Sequence, residues 1–244
     1  MAAATPWKIK VFYDGFYKWY PNEDSYNLTG TKLTYFRSGD AVKGWFKVGN
    51  SWYYANNDYI VQTGWQKLDG KEYFFNDNGV MQTGWLSSEG KWYYLSSSGA
   101  MRTGWISVRG KWYYLNSSGV MQTGWINDNG TWYYLDSSGV MQTGWIKDDG
   151  KWYYLDIYGA MVKDCWIEDG DKWYYLNSSG AMLTDCWFKD RGKWYYLDSS
   201  GAMVTNKWIG DYYLKSSGEM AVNQWIDGYY VDADGKWIKG YKIV

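Results

Sequence analysis

The 244-residue chain contains no histidine. That absence excludes Ser-His-Asp and Cys-His nucleophilic catalysis and removes the commonest zinc ligand. Proline is confined to Pro6 and Pro21, and cysteine to Cys165 and Cys186. The two cysteines occupy equivalent places in "KDCW" and "TDCW". They read either as two buried free thiols or as one disulfide, and spacing alone does not decide, because a bridge depends on geometry. No apolar run approaches the ~18 residues of a membrane span. No signal peptide is legible in Met1–Thr5, so a secreted form is expected to have lost its leader. Basic and acidic residues nearly balance at 25 and 26, and no basic run would track a phosphate backbone. Aromatic platforms for single strands also need a positive groove, so nucleic acid is not an expected partner.

What is abundant is aromatic. The chain has 20 Trp, 27 Tyr and 7 Phe, 22% of its residues. Ordinary cores draw mainly on Leu, Ile and Val, so rings must do the packing here, and there are more rings than a core needs.

The rings are periodic. Trp45, Trp65, Trp85, Trp105, Trp125 and Trp145 recur every 20 residues, Trp166, Trp187 and Trp208 every 21, and Trp225 after 17. A second Trp follows seven residues later at Trp52, Trp92, Trp112, Trp132, Trp152, Trp173 and Trp194, also where the repeat is 21 long. The extra residue falls in the connector, where "SGVMQTGW" becomes "YGAMVKDCW". Trp to Trp is therefore one rigid unit.

That unit reads as a β-hairpin: "TGWL" and "KWYYL" are strand formers, and "SSEG", "VRG", "NDNG" and "DDG" are turns with Gly late in the loop. A lone hairpin of this size cannot bury its faces, but a series can stack. The expected fold is all-β, a solenoid of hairpins of about 20 residues each. Alternation puts Trp92 and Tyr94 on one face and Tyr93 and Leu95 on the other. Trp85 and Trp92 are expected to stand opposite each other, unless a bulge at Gly90 shifts them. Clustered rings suit a quaternary ammonium, held by cation–π attraction, or a stacked sugar; they could also be core alone.

"GWIKDDGKWYYLDIYGAM" resembles the choline-binding, or cell-wall-binding, repeat of pneumococcal surface proteins and lysins. The resemblance runs from about Gly30 to Val244. It implies a left-handed β-solenoid with choline held between consecutive hairpins by two Trp of one repeat and a Tyr of the next. Carried over, the cages are Trp85, Trp92 and Tyr114; Trp105, Trp112 and Tyr134; Trp125, Trp132 and Tyr154; Trp145, Trp152 and Tyr175; Trp166, Trp173 and Tyr196; Trp187, Trp194 and Tyr213; and, at the front, Trp45, Trp52 and Phe74. Met101, Met121, Met141, Met161 and Met182 are candidate apolar contacts, or gap-filling core residues. At Trp65 the second Trp is replaced by Glu72, which impairs that site. "WIGDYYL" and "WIDGYYV" lack the second Trp, so 208–244 is expected to be a cap with no standard cage. Residues 30–207 are the repeats, with Leu33 at the Trp position of a worn first one. Residues 1–29 are a divergent aromatic segment, expected to cap the array.

The function implied is non-catalytic: an extracellular module that holds its protein on choline or phosphocholine of teichoic and lipoteichoic acids at the bacterial cell surface. Alternatives are a glucan-binding repeat array and an attachment module from a cell-wall lytic enzyme. The residues outside the array are too few for a hydrolase domain, and Asp14, Glu23 and Asp24 read as a solvated turn. "DADG" (Asp232–Gly235) hints at a calcium loop but lacks the rest of the pattern, so no cofactor or metal is expected. Residues 1–29 could engage a host protein, and the module could dimerise.

Overall fold

The structure, a computed structural model, describes residues 25–29, 32–37 and 40–240. The expected cap formed by the first residues, as far as 24, lies outside the described residues. All described secondary structure is strand, in two compact units, 1–122 and 123–244. Among the described residues no helix is long and apolar enough to cross a membrane.

The first unit opens with a three-stranded sheet, Ser25–Thr29, Lys32–Arg37 and Asp40–Ala41. Four hairpins follow: Gly44–Val48 with Ser51–Ala55, Gly64–Leu68 with Lys71–Phe75, Gly84–Ser88 with Lys91–Leu95, and Gly104–Val108 with Lys111–Leu115. The second unit holds four long hairpins, Gly124–Asp128 with Thr131–Leu135, Gly144–Asp148 with Lys151–Leu155, Cys165–Asp169 with Lys172–Leu176, and Cys186–Asp190 with Lys193–Leu197. Two short ones close it, Lys207–Ile209 with Tyr212–Leu214 and Gln224–Ile226 with Tyr229–Val231. Within each unit the hairpins stack as an all-β solenoid.

Turn chemistry sets each register. In the hairpin of Trp85, Glu89 and Gly90 both have positive φ, 51° and 72°, the requirement of a two-residue turn matched to strand twist. Ser88 therefore pairs with Lys91, and Trp85 with Tyr94. Trp92 lies opposite Ser87, so the two Trp share a face diagonally rather than directly. The expectation that they stand opposite each other fails because the turn centre sits one residue further along the chain than their midpoint.

The connectors are built by side chains. Asn116 Oδ1 accepts from the amides of Ser118 and Val120, and the Gly119 amide returns to the Asn116 carbonyl. Asp136, Asp156, Asn177 and Asp198 repeat the two side-chain bonds. Asp232 does the same for Asp234 and Lys236, so "DADG" is one more connector turn. Where the repeat has 20 residues, a Gly with positive φ leads into the strand, as at Gly84. Where Cys165 or Cys186 takes that place, the inserted Asp164 or Asp185 adopts the left-handed conformation instead. Asp tolerates it better than Cys does.

Successive hairpins are tied through main-chain atoms. The Met121 amide donates to the Trp92 carbonyl, and Met161, Met182, Met203 and Met220 donate to Trp132, Trp152, Trp173 and Trp194. Met101 makes the same bond to Glu72, where the ring is missing. Burial follows the inner face of each hairpin: Leu95, Leu115, Leu135, Leu155, Leu176, Leu197 and Leu214 have no exposed surface.

Candidate choline site

Stacking turns the Trp face of one hairpin toward the Tyr/Leu face of the next. Trp85 meets Trp92 nearly at right angles, 84°, with centroids 6.4 Å apart. It also meets Tyr113 of the following hairpin at 4.8 Å. The pattern recurs as Trp45 with Trp52 and Tyr73, Trp125 with Trp132 and Tyr153, and Trp145 with Trp152 and Tyr174. Trp166 meets Tyr195 at 5.0 Å and Trp187 meets Tyr212 at 5.4 Å. Second Trp residues stay open: Trp92 is 47% exposed and Trp132 43%.

The third ring thus differs from the sequence expectation. Phe74, Tyr114, Tyr134, Tyr154, Tyr175, Tyr196 and Tyr213 each pack on the first Trp of their own hairpin, Trp65, Trp105, Trp125, Trp145, Trp166, Trp187 and Trp208. In a strand of period two, the second Tyr of the pair shares the face of the two Trp and points toward the following repeat. The first Tyr points back to the preceding one and closes the gap. Trp105 and Trp112 belong to the first unit and Tyr134 to the second.

One such gap is an open depression of about 350 Å³ lined by Trp187, Trp194, Tyr212, Met220 and Asp234. Met therefore borders a cage, but it also packs the connector column: a Cβ built on Gly119 would stand 2.3 Å from the Met101 sulfur. Met141, Met161 and Met182 meet Gly159, Gly180 and Gly201 in the same way.

Carboxylates border the rings at places the sequence reading did not single out. The indole N–H groups of Trp125, Trp145 and Trp166 donate to Asp148, Asp169 and Asp190 at 3.0, 3.1 and 3.1 Å. Each acid ends the first strand of the next hairpin, so it fixes the indole and adds negative potential at the cage. Lys147 and Lys189 stand over the rings of Trp152 and Trp194, their cross-strand partners, at 5.8 and 5.6 Å. At that distance each ammonium makes a cation–π contact with its ring. Burial, then the charge of Glu219, raises the Tyr195 phenol above the ordinary tyrosine range, so this wall stays neutral.

Cys165 and Cys186 are both free thiols, half-buried. They begin equivalent strands of consecutive hairpins. Burial and the adjacent Asp164 and Asp185 raise both thiol pKa values. Among the described residues no cluster of three or more acids or cysteines could hold a metal.

Models of the choline-binding repeat match residues 62–103, 102–142, 122–166, 142–187 and 165–208, and a second such model matches 202–237. A putative cell wall binding repeat matches 43–58. No curated protein sequence matches significantly. Among solved structures, CbpJ from Streptococcus pneumoniae is 36% identical with a TM-score of 0.71, the match covering 88% of this chain and 94% of CbpJ. Choline binding protein F from Streptococcus pneumoniae is 31% identical with a TM-score of 0.65, over 88% and 99% of the two chains. The modular autolysin LytC from Streptococcus pneumoniae, in complex with a synthetic peptidoglycan ligand, is 30% identical with a TM-score of 0.66, over 80% of this chain and 46% of LytC. With repeat models along most of its length, and relatives that share both fold and sequence, the chain belongs to the choline-binding repeat family.

Proposed function

We propose that this chain is a non-catalytic anchor that holds its protein on choline or phosphocholine of teichoic and lipoteichoic acids at a bacterial cell surface. The observation that carries the reading is the recurring open triplet, two orthogonal Trp and the first Tyr of the next repeat, as in Trp85, Trp92 and Tyr113. A quaternary ammonium has no N–H to satisfy, so a ring cage binds it by cation–π attraction. The neighbouring Asp148, Asp169 and Asp190 favour a cation further.

Each cage is weak, since three rings at about 0.5–2 kcal/mol each give millimolar-range binding. A row of such cages suits a surface dense in choline, where effective concentration turns weak sites into firm attachment. The test is a titration of Trp fluorescence with choline, with ethanolamine run in parallel at matched ionic strength. A saturating change with choline alone supports the reading. Equal responses to the two amines would mean that the rings do not recognise the methyl groups, and the choline assignment would fall.

A further inference from the structure

The two short hairpins at the end of the chain lack the second Trp, and the sequence gives no reason to expect a cage there. The geometry differs. Trp237 lies in the last connector, where Met stands in the earlier ones: it bridges to Val231 as Met220 bridges to Leu214 and Met101 to Leu95. Its amide donates to the Asp211 carbonyl, as the Met220 amide donates to Trp194. Hence the main chain places a Trp where the connector otherwise delivers Met against the second Trp of the preceding hairpin.

The result is a third ring beside Trp208. Trp208 meets Trp237 at 6.3 Å, against 6.4 Å between Trp85 and Trp92. It meets Tyr229, first of the Tyr pair in the following hairpin, at 6.0 Å and 81°. Tyr229 and Trp237 stand 5.2 Å apart at 88°. Tyr229 is 46% exposed, so the cluster is not sealed as core. Lys239 stands over the Trp237 ring at 5.4 Å, a cation–π contact made by the chain's own ammonium.

We infer that Trp208, Tyr229 and Trp237 form an additional quaternary-ammonium site, in which one connector indole replaces both the missing second Trp and the Met. The inference rests on the choline reading of the standard cages.

The experiment follows the indole 15N–1H signals of the full chain, assigned by single Trp→Phe substitutions, during titration with choline and with ethanolamine. The expected result is that Trp208 and Trp237 shift with choline and not with ethanolamine, as Trp125 and Trp145 do. In Trp237→Leu the Trp208 response should weaken about three- to thirtyfold, the value of one ring wall, while Trp125 keeps its own. Trp237→Phe should recover most of the Trp208 response, which separates a wall from a fold defect. If Trp125 and Trp145 respond and Trp208 does not, the terminal site is overturned and the standard cages stand. If no indole responds, the choline reading falls and the terminal site with it.

Discussion

Tyr113 meets Trp85 edge to face with ring centroids 4.8 Å apart, although the two belong to successive hairpins. Tyr114, its neighbour, packs on Trp105 within its own hairpin. Tyr113→Ala should therefore weaken choline at the Trp85 cage by about 0.5–1.5 kcal/mol. Tyr114→Ala should leave the Trp85 indole titration unchanged and disturb Trp105. Indole NMR on the two variants reads both outcomes, and a reversed pattern would reassign the third wall.

Valency predicts a threshold. Trp92→Ala alone should barely change retention on a choline-bearing resin, because the other cages hold the chain. Combining Trp52→Ala, Trp92→Ala, Trp132→Ala and Trp152→Ala should release it at much lower free choline. Loss of retention from the single variant would show that the sites do not share the load.

Asp148 accepts the Trp125 indole N–H across hairpins. Asp148→Ala should cost about 1 kcal/mol in stability and free the indole, seen as a shifted and broadened Trp125 signal. Asp148→Asn keeps an acceptor and should restore the signal, yet bind choline more weakly for lack of charge.

Gly119 has φ of +77°, and a Cβ there would press on the Met101 side chain. Gly119→Ala should destabilise the chain by about 1–2 kcal/mol from backbone strain, with the displaced Met101 adding to it. Denaturant unfolding measures this. Gly110→Ala meets nothing within 4 Å, so strain acts alone and the cost should be smaller.

Binding and stability should part company with pH. The chain has no histidine, and the Tyr195 wall stays neutral because its pKa is raised. The choline dissociation constant should therefore stay flat from about pH 5 to about pH 8. Glu219 differs: hydrogen bonds from Lys193 and then Lys215 hold its carboxyl below the ordinary glutamate range. A depressed folded pKa gives stability that is present above the unfolded value and fades as pH falls through the folded one. Thermal unfolding should show acid destabilisation that Glu219→Gln reduces.

Much of this was legible. The fixed seven-residue spacing of Trp85 and Trp92 marked the hairpin, and Gly90 marked its turn. Alternation correctly separated Tyr93 from Tyr94. It does not say which face meets the next repeat, because stacking sense is a property of the array and not of one strand; that is why the ring packed on Trp85 across hairpins is Tyr113 rather than Tyr114. Asp148 lies 23 residues from Trp125, outside any local pattern. The only available signal was the recurrence of acids at Asp128, Asp148, Asp169 and Asp190, just before the turns. Trp237 was hidden because its role follows from standing in a Met position, which the shortened repeats obscure.

The bond from Met101 to the Glu72 carbonyl survives where the ring is gone. Because this part of the joint between neighbouring hairpins is made by amide and carbonyl, it does not depend on the side chain at the ring position. The residue at the ring position can therefore differ, as Glu72 does, while this bond is kept. The Gly64–Phe75 hairpin accordingly keeps the register of its neighbours without the second ring, and so serves as a spacer that holds the hairpins on either side in step.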